Sequence, residues 1–176
     1  QNGPNPAIGK VGQALEFDGS DDYVNCGSSI WTNNPQQTAT LWFNRNQDQA
    51  DDTNHNVSNM LLAKASGADN DNFELGTDGS NIELYFDTDG ENTTYSFDGG
   101  IQNNQWYHIA VTFNGGQAYV YLDGKQIYSH DWGGDLDGSA DPSELAIGES
   151  QHQGAPFDGT IDQVRIYDRA LSEKET

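Results

Sequence analysis

Apolar residues recur at every second position in short runs along the whole chain, and this alternation constrains the fold more than any other feature. Leu15/Phe17, Val24/Cys26, Ala39/Leu41/Phe43, Phe73/Leu75, Ile82/Leu84/Phe86, Ile109/Val111/Phe113, Ala118/Val120/Leu122, Leu145/Ile147 and Val164/Ile166 each form one apolar face. A period of two belongs to half-buried strands, and no segment before the last few residues keeps a 3.6-residue period. Each apolar face needs a cover, which strands this short and numerous obtain by stacking two antiparallel sheets. The fold class is therefore all-β.

Two hairpins are legible. Asp123-Gly124 separates residues 119–122 from 125–128 and suits the type I′ turn that matches strand twist. Asn114-Gly115-Gly116 joins residues 111–113 to 118–120 in the same way. Stretches rich in Asp, Asn and Gly at about 46–59, 66–72, 87–100 and 129–143 read as loops, and residues 171–175 as the start of a short helix capped by Ser172.

A chain of 176 residues is long enough for one domain, and no composition shift divides it. The polar start Gln1-Asn2-Gly3-Pro4-Asn5-Pro6 makes residues 1–7 read as the end of a linker, and the whole as a module of a longer protein. No apolar run approaches the length that crosses a bilayer, so membrane insertion is not expected. Seven Lys and Arg against 28 Asp and Glu give a formal charge of -21. That field repels phosphate backbones and anionic headgroups, which argues against nucleic acid as a partner. High salt or bound cations would offset the self-repulsion. The acidic, Lys-poor composition resembles proteins of salt-loving organisms and equally suits an acidic extracellular module. The lone Cys26 excludes an internal disulfide and alternates with Val24 as a small apolar residue.

Three segments carry a family resemblance: 14–24 (ALEFDGSDDYV), 106–113 (WYHIAVTF) followed by 121–124 (YLDG), and 157–172 (FDGTIDQVRIYDRALS). In that order they resemble the laminin-G-like jelly rolls of the concanavalin A-like lectin and glucanase superfamily. The resemblance implies a jelly-roll β-sandwich and places a structural cation where the Phe17-Asp18-Gly19 turn meets the last strand. On that analogy Asp18 and Asp162 supply carboxylates, with Gly19 and nearby backbone oxygens completing a calcium shell. The competing reading is that both aspartates bond turn amides. Segment 145–152 resembles the calcium segment of pentraxin lectins, although Ser150 and His152 stand where acidic groups are usual; Glu149 and Gln151 remain as candidate ligand oxygens.

Carbohydrate recognition needs exposed aromatic faces with polar groups beside them. Alternation sets Trp42 with Thr40 and Asn44, opposite Ala39, Leu41 and Phe43, so Trp42 is expected on an outer sheet face. Tyr85 shares a phase with Glu83 and Asp87, and Trp132 and Trp31 lie in polar stretches, as binding-rim residues do. Trp106 and His108 belong to the family's Trp-Tyr-His motif and read as structural. Catalysis finds little support: no E-x-D-x-E strand, no G-x-S-x-G and no zinc spacing of histidines occurs. The chain is expected to be a noncatalytic carbohydrate-binding module of a larger secreted or cell-surface protein, with calcium as its ion. A protein- or peptide-binding adhesion module is the alternative. A third reading places a glycan-cleaving site on the concave sheet.

Overall fold

Thirteen strands form among the residues described by the computed structural model, which are 3–31, 34–49, 57–65, 72–136, 143–149 and 155–176. They are β1 (Asn5–Ile8), β2 (Gln13–Asp18), β3 (Val24–Asn25), β4 (Gln36–Arg45), β5 (Leu62–Lys64), β6 (Phe73–Asp78), β7 (Asn81–Asp87), β8 (Asn92–Asp98), β9 (Trp106–Asn114), β10 (Gln117–Leu122), β11 (Lys125–Asp131), β12 (Leu145–Ile147) and β13 (Asp158–Tyr167). One sheet has seven strands in the order β1-β2-β13-β4-β9-β10-β11; the other has six, β3-β12-β5-β6-β7-β8. All pairings are antiparallel, so this is a two-sheet jelly-roll sandwich.

The core between the sheets is built from the alternating residues. Phe17, Leu41, Phe43, Phe73, Leu84, Phe86, Ile109, Val111, Phe113 and Val120 are buried in one cluster, and Val24, Cys26, Ile147, Val164 and Ile166 pack against it partly covered. The Asp123-Gly124 hairpin forms as expected, with Leu122 opposite Lys125 and φ of 50° and 76° at the two turn residues. Gly115 and Gly116 make the other turn between Asn114 and Gln117.

Four expectations change. Residues 5–8 are not linker but the edge strand β1, paired with β2. Residues 92–98, within the stretch read as a loop, form β8, whose Tyr95 and Phe97 face the sandwich edge and meet Tyr128 and His130 of β11. The last strand is followed by one hydrogen-bonded turn instead of a helix: Glu175 N donates to Ser172 O, and Ser172 N and Oγ donate to Glu175 Oε2. Trp31 is no rim residue: it is buried and stacks on Phe73 with centroids 4.4 Å apart.

The outer faces of the two sheets differ in their cover. On the six-stranded sheet Val57, Met60, Ala155 and Tyr85 make a second small core. Residues 57–60 lie close enough there that a Cβ on Gly76 would sit 2.1 Å from Ser58 O, so only glycine fits. On the seven-stranded sheet the C-terminal segment crosses one half of the face: Leu171 is buried, its N–H donates to Thr38 Oγ1, and Thr38 Oγ1 donates to Arg169 O. Among the described residues nothing crosses the other half of that face.

Candidate functional site

Strand register decides what lies on the open half. Trp42 of β4 is opposite His108 of β9 and Asp162 of β13, and Asn44 is opposite Trp106. Directly opposed residues share a face, so one side of the sheet carries Trp42, Trp106 and His108 together. Their inward neighbours Leu41, Phe43, Tyr107 and Ile109 hold the strands to the core. The side chains line a groove of about 560 Å³ with Lys10, Asp123, Gly124 and Thr176 at its rim. The Trp42 and His108 rings lie 5.1 Å apart, and Lys10 Nζ stands 4.7 Å from the Trp42 ring centroid.

Each rim group has a reason to be where it is. Asp123, at φ 50° in the hairpin turn, accepts the His108 backbone N–H at 2.9 Å and donates its own N–H to His108 O. Lys10 is carried by the β1–β2 turn, closed by Gly9 N to Gly12 O and pinned by Val11 N donating to Asp162 Oδ2 at 2.9 Å. A Cβ on Gly9 would sit 2.4 Å from Asp162 Oδ2, so the turn reaches the sheet only because residue 9 is glycine. Burial holds the His108 imidazole below its ordinary pKa, and Arg165 lowers it further against an opposing pull from Asp123. The ring is thus neutral at neutral pH, with one nitrogen to donate and one to accept. Asn44 Oδ1, on the same face, is buried without a hydrogen-bond partner. Two indoles, a neutral imidazole and a polar rim suit a ligand with both C–H faces and hydroxyls.

A larger cavity, about 620 Å³, opens between the sheets beside β3 and is lined by Ile30, Trp31, Leu145, Ile147, Val164 and Ile166 among others. Its aliphatic floor is edged by Ser29, Asn34, Gln37, Tyr167 and Asp168, but it lacks the pair of indoles set beside an imidazole, so the open-face groove is the better candidate despite its smaller size.

Trp42 takes the outward position that alternation predicts. Trp132 does not act as a rim residue: it is 1% exposed, its ring lies between Phe86, Tyr95 and His130, and its Nε1–H donates to Thr93 O. Tyr85 is likewise buried, under residues 57–60 on the opposite sheet, with its hydroxyl donating to Asn92 Oδ1. Glu149 is buried beside Asp21, away from the groove, and Gln151 lies outside the described residues. Trp106 and His108, read as structural, line the groove with Trp42. The alternation that points Trp42 outward applies equally to them, because Tyr107, Ile109 and Val111 occupy the other phase.

The acidic residues regroup too. Asp18 is opposite Asp158, not Asp162, which stands four residues further along β13, about 13 Å away at strand rise. Asp162 holds the β1–β2 turn instead. Asp158 accepts from Asn46 and Gln47 side chains. What gathers is Asp18, Asp21 and Asp22, with one oxygen from each within 4.8 Å of the others; Gly19 makes the turn between them at φ 71°. Asp22 is 2% exposed, accepts Asp18 N–H on Oδ2, and has no partner on Oδ1. Burial, then repulsion from Asp18 and Asp21, raises its pKa.

Burial and the charge of Asp21 push Glu149 up to about 7. The folded state then keeps a proton that the unfolded chain releases, so in the presence of chelator stability should fall as pH rises from about 4.5 to about 7. Glu149→Gln should flatten that slope in chemical unfolding followed across the window. An unchanged slope would mean that Glu149 ionises normally in the folded protein.

The fold and the open aromatic face together define a lectin-type β-sandwich. A laminin G model of the concanavalin A-like lectin/glucanases superfamily matches residues 18–176, and the chain belongs to that superfamily. Among solved structures it is similar to domain 4 of AbnA, an extracellular GH43 arabinanase from Geobacillus stearothermophilus solved with arabinotriose. The TM-score there is 0.73 at 23% identity, over 99% of this chain and 80% of that one. It is also similar to the binding domain of Paraclostridial Mosquitocidal Protein 1 (TM-score 0.71, 15% identity, 99% of this chain and 44% of that one). A third similar structure is a protein from Bacteroides ovatus proposed to bind carbohydrate (TM-score 0.70, 20% identity, 92% and 45%). The chain thus spans most of the first and under half of the other two.

Proposed function

We propose that this chain is a noncatalytic carbohydrate-binding module of a larger secreted or cell-surface protein, holding a glycan in the open-face groove and a calcium ion at the Asp18 turn. The observation that carries the reading is the grouping of Trp42, Trp106 and His108 on the uncovered half of a sheet. Indole faces pack against sugar C–H surfaces, while His108 and Asp123 offer donors and acceptors to hydroxyls. The arabinotriose bound to the AbnA domain supports this ligand class. That relative belongs to an extracellular arabinanase, which supports the location.

A glycan array followed by calorimetry tests the groove. Trp42→Ala and Trp106→Ala should each abolish binding of any glycan that the native chain retains, with little change in the unfolding transition, since both indoles are partly exposed. Normal binding by both variants would place the site elsewhere. Reducing-sugar release from a bound glycan would overturn the noncatalytic part.

Asp18, Asp21 and Asp22 fit calcium, which takes six to eight oxygens and tolerates irregular geometry; the orphaned Oδ1 of buried Asp22 is the group that most needs a cation. A ligand that binds only the folded state adds about 2.7 kcal/mol at one hundred times its dissociation constant. Thermal melts at constant ionic strength should therefore rise with calcium and fall with chelator. Asp22→Asn should blunt the response and Asp162→Asn should not. Equal melts with and without calcium would remove the ion.

A further inference from the structure

We infer that the groove selects a glycan bearing an acidic sugar, whose anionic group lies between Lys10 and Arg165 while its ring stacks on Trp42; this rests on the carbohydrate reading above. The chain has only seven basic residues among 28 acidic ones. Two are buried and engaged: Arg45 donates to Asp48, Asn103, Thr77 and Gly79 O, and Lys64 donates to backbone carbonyls. Arg169 pairs with Glu175. Among the described residues Lys10, Lys125, Arg165 and Lys174 form no ion pair, although carboxylates outnumber bases four to one, and of these four Lys10 and Arg165 stand beside the groove's tryptophan. Both flank Trp42. Lys10 stands over its ring, and Arg165 is opposite Thr40, the next outward residue of β4. Arg165 is exposed, donates a hydrogen bond to the Gln163 side chain, and is near enough to depress the His108 pKa.

The groove is therefore polarised along its length. Lys10 marks the β1–β2 end, with Arg165 of β13 just beyond the lining, opposite Thr40; Trp42 and His108 form the middle, and Asp123 the β10–β11 end. From β13 to β10 is three strand spacings, about 14 Å, enough for a short oligosaccharide. Any ring stacking on Trp42 must push the ammonium off the indole, and a neutral one then leaves both cations without a counter-ion. An acidic ring gives the displaced ammonium a new partner at its own edge, and the neutral sugars beyond it meet His108 and Asp123. The overall charge does not forbid this. Fields fade over about 8 Å at physiological ionic strength, so a short acidic saccharide meets the local pair of cations, whereas a long polyanion meets the whole acidic surface. Asp162, the nearest buried carboxylate, has one oxygen committed to Val11 N.

The test measures binding of uronic-acid trisaccharides (galacturonate, mannuronate, glucuronate), their methyl esters, a sulfated galactose trisaccharide and arabinotriose to the intact chain. The esters keep shape and remove charge. At least one acidic trisaccharide should bind roughly tenfold more tightly than its uncharged counterpart. Lys10→Gln and Arg165→Gln should each reduce the ratio of acidic to ester affinity by about three- to fivefold, whatever either does to ester binding itself, while leaving the melting transition unchanged. Uronate and sulfate arms separate the two sources of negative charge. Trp42-dependent binding of neutral trisaccharides with no acidic preference would overturn this inference and leave the carbohydrate reading intact, as would acidic binding indifferent to both substitutions. If no saccharide binds and Trp42→Ala changes nothing, both readings fail together.

Discussion

Trp132→Ala is expected to lower the unfolding free energy by about 3–5 kcal/mol, the range for truncating a fully buried aromatic side chain. Its ring fills the space where the edge strands of both sheets meet: Phe86 lies 5.2 Å away in the core, Tyr95 of β8 5.2 Å away, and His130 of β11 4.7 Å away. Loss of the indole also leaves Thr93 O without its donor. The same edge is closed by Phe97 stacked flat on Tyr128 at 4.1 Å and by Glu91, which accepts from the Tyr95 hydroxyl and contacts His130 Nε2. Chemical unfolding gives the measurement. A loss below about 1 kcal/mol would show that the ring is not a core residue, and any glycan binding by the folded fraction should persist because the groove lies elsewhere on the sheet.

Lys64→Met should cost a comparable amount, although it replaces a charged residue by an apolar one of similar length inside a core. Lys64 is 2% exposed, and its ammonium donates to Ser28 O and Ser143 O at 3.0 Å and reaches Ile30 O at 3.4 Å. Ser143 leads into β12, which pairs with β5, but Ser28 and Ile30 belong to a segment that β5 does not pair with, the one that feeds Trp31, at φ 55°, onto Phe73. Hydrogen bonds to a charged donor contribute about 1.5–3 kcal/mol each, and the abandoned buried acceptors add a penalty. We expect a loss of about 3–5 kcal/mol and a red shift of tryptophan fluorescence before the main unfolding transition. Stability within about 1 kcal/mol of the native chain would mean that water replaces the ammonium at no net cost.

These residues also show where sequence reading succeeds and where it stops. Period-two alternation identified the core because inward positions of a sandwich strand tolerate little but apolar side chains, and it set Trp42 outward for the same reason. β8 escaped because an edge strand needs few apolar residues: its Thr93, Thr94 and Ser96 resemble loop composition, and only Tyr95 and Phe97 betray the pattern. Trp31 and Trp132 sit in polar stretches that fold back into the core, a tertiary event with no local period. The Asp18 and Asp162 pairing failed on register. Both point outward, but which residue of one strand faces which of another is fixed by distant hydrogen bonds, and those set Asp158 beside Asp18. Trp106 and His108 were legible in principle, since their phase is that of Trp42.

The break in register on β13 between Asp162 and Arg165, with Gln163 at φ 51°, has a consequence for how this strand tolerates change in length. Before it, Thr160 and Asp162 point outward; after it, Arg165 does, while Val164 and Ile166 turn toward the core. One residue thus changes the phase of the strand, because a shift of one exchanges its faces. Two residues of β13, Gln163 and Val164, stand against the single residue Leu41, so deleting Gln163 would leave a regular ladder with Val164 and Ile166 still inward and Arg165 still opposite Thr40. Flattening the bulge with every residue kept would instead carry Val164 and Ile166 to the solvent and Arg165 into the sandwich. The left-handed turn at Gln163 is thus what keeps the residues downstream of it in step with the core, and a change that straightens the backbone there acts as an inversion of everything after it.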